Sequence, residues 1–203
     1  MDSIVAIHVK STLFICFLFS MGTLMAEKKD YSKEERAIIN RSVGEVVDLL
    51  EKEMKEQYGL LCIGQGGGMP YDIEEIEVDF VYHHQVTIEE ARELEIKSTE
   101  RFVQIINNHE AIRPYLKNYP WDFHRAQVMI SFRDNYGIDY PAGIRLILQA
   151  RDNIVYFGPK KSLSDIEPIK REPYAEAKQI VNSSPSCLKP LEPPQKKKWF
   201  NWL

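Results

Sequence analysis

From Glu74 to Val86 the chain alternates with period two. Ile76, Val78, Phe80, Tyr82, His84 and Val86 fall on one side, and Glu75, Glu77, Asp79, His83 and Gln85 on the other. Directly after it, Thr87-Ile-Glu-Glu90 is a capping box, and the period changes to that of a helix, with Ala91, Leu94, Ser98, Phe102 and Ile105 forming a stripe through about Asn107. A strand with one apolar face, joined to a helix with one apolar stripe, has to bury both against a shared core. That pairing constrains the fold more than any other feature of the sequence.

The rest of the chain repeats the theme. Ser32-Lys-Glu-Glu35 is another capping box, and Ile39, Val43, Val46, Val47, Leu50 and Met54 follow at helical spacing. Residues 33–57 therefore read as a long amphipathic helix ended by Tyr58-Gly59. Leu60–Ile63 reads as a short buried strand, followed by the glycine cluster Gly64-Gln-Gly66-Gly67-Gly68 as a connection. Two more strands are expected, with Ala126, Val128, Ile130 and Phe132 inward in one and Ile144, Leu146, Leu148 and Ala150 inward in the other. Arg151-Asp-Asn153 is a reversal into a third strand, Ile154–Phe157, and a last helix begins near Glu172. Residues 31–182 are expected to form a single α+β domain: an antiparallel sheet of four or five strands with two long helices packed on one face.

The flanks carry different signals. Residues 11–26, STLFICFLFSMGTLMA, are an unbroken apolar run closed by Ala26. At about 16 residues the run is shorter than the ~20 needed to span a bilayer and matches the core of a signal peptide. Residues 1–26 therefore read as a signal for export to periplasm, envelope or medium, with an uncleaved inner-membrane anchor as the alternative, since only Lys10 supplies a cation ahead of or within the run. Residues 183–203 read as a Ser- and Pro-rich linker with a basic-aromatic end. There Lys196, Lys197 and Lys198 precede Trp199, Phe200 and Trp202, a composition suited to an anionic membrane surface or a partner's apolar groove.

The formal net charge is −4, and with cations concentrated in the tail the body is acidic, which argues against nucleic acid as a partner. Glu75, Glu77 and Asp79 are expected to face Arg133, Arg145 and Arg151 across neighbouring strands as a charge-matched wet face. Cys62 and Cys187 read as unpaired thiols.

Catalytic signatures are weak. Gly64–Gly68 lacks the Lys and Ser or Thr of a phosphate loop, and Met69 stands where a dinucleotide fingerprint needs a glycine. Cys62 with His84 is a thin case for a thiol nucleophile, and His84 is expected as a core histidine. His83 and His84 are consecutive on a strand and point apart, and His109 and His124 lack ligand spacing, so no metal or cofactor is implied.

Several segments, LLCIGQGGGMPYDIEEI, VTIEEARELE, IINNHEAIRPYLKNYPW and EPYAEAKQIV, resemble a group of uncharacterised signal-bearing proteins of chlamydia-like intracellular bacteria. The resemblance implies an exported bacterial protein with one mixed domain, and no activity or site residue transfers with it.

The expected role is non-enzymatic binding of an unidentified protein or envelope partner. The candidate surface is the Gly64–Tyr71 segment (Gly64, Gly66, Gly67, Gly68) with the aromatic segment Tyr115–Phe123 (Tyr115, Tyr119, Trp121). Two alternatives stand beside it: a thiol-dependent or hydrolase-like enzyme using Cys62–Gly68, and a membrane-peripheral envelope protein held by its tail.

Overall fold

A computed structural model describes residues 30–159 and 167–188. The apolar run 11–26 and the tail residues Lys196, Lys197, Lys198, Trp199, Phe200 and Trp202 lie outside the described residues, as does most of the linker.

Both capping boxes form. Ser32 opens α1 (Lys33–Tyr58), its Oγ accepting from the Glu35 N–H at 3.1 Å while its own N–H donates to Glu35 Oε2 at 2.8 Å. Thr87 opens α2 (Ile88–Asn108) in the same way, at 3.2 and 2.8 Å. Each box satisfies two of the N–H groups that a helix start leaves free. Gly59, at φ 75°, ends α1 in the left-handed conformation.

One six-stranded sheet runs in sequence order: β1 (Leu61–Gly68), β2 (Glu75–Tyr82), β3 (Ala126–Phe132), β4 (Leu146–Ala150), β5 (Asn153–Phe157) and β6 (Lys170–Pro173). Neighbours are antiparallel except β2 and β3, which pair in parallel from Ile76↔Ala126 to Tyr82↔Phe132. The α+β class is as expected; the strand count and the all-antiparallel pairing are corrected. The parallel pair follows from α2, because a strand–helix–strand crossover brings the chain back to the end it left. The added strand is β6, which precedes α3 (Tyr174–Ser183), and the glycine cluster extends β1 instead of connecting it to β2.

α1 and α2 pack on each other, with α1 against β1 and α2 against β3 and β4; α3 contacts α2, β5 and β6. Ile76, Val78, Phe80, Val128, Ile130 and Phe132 line the core face beneath them. Within this layer Arg92 of α2 donates two hydrogen bonds to Glu172 of β6, at 2.7 and 3.0 Å. The Tyr156 hydroxyl also donates to Glu172, and Lys170 pairs with it at 2.7 Å.

Three further expectations are corrected. Leu146 and Leu148 face away from the helices, while Ile147 and Gln149 are buried beneath them. Leu146, Ile147 and Leu148 are consecutive apolar residues, so alternation did not choose the face of β4; pairing with β3, where Leu148 opposes Met129 and Ile147 opposes Ile130, did. The charge-matched wet face does not form either: β3 separates the acids from Arg145 and Arg151, and Arg133 follows β3 beyond the end of β2. Glu77 and Asp79 oppose Gln127 and Met129, while Arg133 pairs with Asp139 at 3.4 Å. Finally, β2 ends at Tyr82, which leaves His84 exposed against the Tyr82 ring at 4.8 Å instead of in the core.

Candidate functional site: a glycine edge strand beside a cleft

Glycine in a strand interior supplies no side chain to pack and marks a close approach or a bend. In β1 it does both. Leu61 and Cys62 pair with Val81 and Phe80; the register then shifts, so that Ile63 bulges out at 58% exposure and Gly64 opposes Asp79. From there Gly66 opposes Glu77 and Gly68 opposes Glu75. The expected buried strand Leu60–Ile63 is thus an edge strand that runs on through the glycines, with only Leu60 fully buried.

Three of the four glycines have a structural reason. A Cβ on Gly67, at φ 145°, would lie 2.3 Å from the Glu75 carbonyl oxygen. A Cβ on Gly64 would lie 3.1 Å from Asp79 Oδ2, and one on Gly66 3.3 Å from Glu77 Oε2. The carboxylates of β2 therefore lean across a backbone with no side chains of its own. Burial, with Asp79 and Glu75 nearby, raises the Glu77 carboxyl above its ordinary range. Burial raises Asp79 likewise, and its Oδ1 is buried without a hydrogen-bond partner. Among the described residues no cation pairs with Glu75, Glu77 or Asp79.

On the opposite face of β1 a cleft of about 310 Å³ opens between the strand and α1. Ile39, Asn40, Val43 and Gly44 form its helix wall, residues 65–69 its strand wall, and Ile73, Glu75 and Ile76 complete the lining. The cleft exists because small residues meet: a Cβ on Gly44 would touch nothing within 4 Å. Sequence reasoning took α1 as a core-facing stripe and missed Asn40 and Gly44. The available signal was a glycine inside a helix, which costs about 1 kcal/mol against alanine.

The aromatic segment Tyr115–Phe123 joins the chain just beyond Gly64–Tyr71, at Ile73 and Glu74. Ile73 donates to the Tyr115 carbonyl at 2.8 Å, and Lys117 donates back to Ile73 at 2.9 Å. Lys117 also pairs with Glu74 at 2.5 Å, and Tyr115 packs edge-on against Tyr31 with ring centres 5.5 Å apart. Met69 and Tyr71 remain 36% and 45% exposed at this junction. Tyr119 is exposed beneath the Arg113 guanidinium, 4.7 Å from it. Trp121 is 2% exposed, and Asn107 brackets its backbone from both sides, so it holds the segment in place and offers no surface contact.

Cys62 is half-buried, and its Sγ lies 3.5 Å from the Gly64 carbonyl oxygen. Burial raises its thiol and the acids Glu51, Asp79 and Asp48 add to that, the reverse of what a thiolate nucleophile needs. Cys187 is unpaired as well, tied with Ser186 to the Glu93 carboxylate, so the start of the expected linker is anchored to α2. Among the described residues no cluster of His, Cys, Asp and Glu is placed to hold a metal ion, and no helix is long and apolar enough to cross a membrane.

The chain matches no protein-family model, no curated protein and no solved structure.

Proposed function

We propose that this chain is a non-enzymatic binding protein that accepts an extended peptide segment along β1, as an added strand whose inward side chains enter the cleft beside α1. The observation that carries this reading is the combination of an edge strand built largely of glycine with an apolar cleft along it. An edge strand presents a row of backbone donors and acceptors, and proteins ordinarily blunt such edges with charge, proline or a covering element. β1 instead carries four glycines, which leave its backbone open to close approach. Strand addition draws affinity from that backbone and specificity from pockets that take alternate side chains. Export through residues 1–26 and membrane contact through the basic-aromatic tail belong to the same reading, as means of bringing the site to its partner, and rest on the sequence alone.

The test is a single substitution. Gly44→Leu places a side chain in the cleft where none now stands, on a helix that tolerates leucine better than glycine. Unstructured octapeptides alternating valine with a polar residue should bind the full chain by fluorescence anisotropy. They should bind Gly44→Leu at least tenfold more weakly, although that variant melts at an equal or higher temperature. Peptides that bind neither protein, or both equally, overturn the proposal.

A further inference from the structure

We infer that the segment taken up by β1 alternates cationic and apolar residues, its lysines or arginines reaching across the glycines to Glu77 and Asp79 while its apolar side chains fill the cleft. This rests on the strand-addition reading above and names the partner's chemistry. In an ordinary sheet, a strand added at the edge meets the side chains of the edge strand. Here Gly64 and Gly66 provide none on the acidic face, so the first side chains an incoming strand meets there are those of β2. Two strand spacings are about 9.6 Å, a gap that a lysine or arginine side chain and a carboxylate leaning outward close between them. Side chains of a strand alternate between faces, so a partner's other residues turn toward α1, where Val43 and Met69 offer apolar surface above the buried Ile73 and Ile76.

The charges favour a cation at this position. Glu75, Glu77 and Asp79 stand on one face of β2 with no cationic partner among the described residues, and Asp79 Oδ1 is buried without one. A second copy of this chain, paired edge to edge through β1, would bring two such acidic ridges together, and like charges facing each other disfavour the pairing.

The experiment uses three labelled, end-blocked octapeptides, alternating Lys-Val, Ser-Val and Glu-Val, with the full chain and with Glu77→Gln/Asp79→Asn. The Lys-Val peptide is expected to bind at least tenfold more tightly than Ser-Val, and Glu-Val more weakly than both. The Lys-Val advantage should shrink to less than threefold in the double variant and with added salt, while Ser-Val binding stays unchanged. Equal affinity for Lys-Val and Ser-Val, both lost in Gly44→Leu, would overturn the cationic preference and leave strand addition standing. Failure of all three peptides would overturn strand addition itself. A tighter grip on Lys-Val after deletion of residues 189–203 would assign the edge to the chain's own lysine-rich tail and overturn an external partner.

Discussion

At the residue scale, the glycines of β1 are not interchangeable. Gly67 is left-handed and crowded, because its missing Cβ would overlap the Glu75 carbonyl, whereas Gly68 has nothing within 4 Å. Gly67→Ala is therefore expected to destabilise the chain by about 2 kcal/mol, the scale of local backbone strain, and Gly68→Ala by no more than about 0.5 kcal/mol. Urea denaturation of the two variants decides the point, and equal losses would show that Gly67 is not held by its backbone. The sequence displayed the cluster but not the reason for each member, since the clash depends on a carbonyl eight residues further along the chain.

At the scale of elements, α2 carries the least ordinary group in the core. Glu95 is completely buried beside the Gln149 N–H of β4, and neither carboxyl oxygen makes a well-formed hydrogen bond. Burial raises its carboxyl well above the usual range. The folded chain thus holds a proton that the unfolded chain gives up at about pH 4.3, and stability is fully present below that pH and lost as pH rises toward the folded-state value. Glu95→Gln removes the titration. The variant should gain stability relative to the native chain as pH rises above about 4.3, the unfolded value. A stability difference that does not change with pH would show that Glu95 ionises freely. The helix itself was legible in advance, because a capping box and a stripe are local patterns. That Glu95 would face inward was not, since a carboxylate reads by itself as a solvent-side residue.

At the scale of the whole molecule, the Arg92–Glu172 pair ties α2 to β6, across 80 residues of sequence. Both side chains are less than a tenth exposed. Burial opposes ionisation of Glu172, but hydrogen bonds from Arg92, Lys170 and Tyr156 outweigh it and hold the carboxyl down at about 2. Arg92→Met leaves that buried charge without its main partner and is expected to cost about 3 kcal/mol; Arg92→Met/Glu172→Met should recover most of it. A double variant as unstable as the single one would show that the arginine acts through packing and not through charge.

Short-range order was written locally: two capped helices, the alternation through β2 and β3, the turn at Arg151, and an acidic body. Each depends on residues within a turn or two of one another, so periodicity and caps suffice to read them. Which strand stands at the edge, which pair runs parallel, which face β4 turns inward, and that the glycines extend a strand beside α1 were all decided by pairing between segments far apart in the chain. A local pattern specifies what an element offers on each face but not which neighbour takes it. The candidate site is made of such choices: the glycines are plain in the sequence, and only the tertiary structure sets the acids of β2 across them and opens a cleft behind.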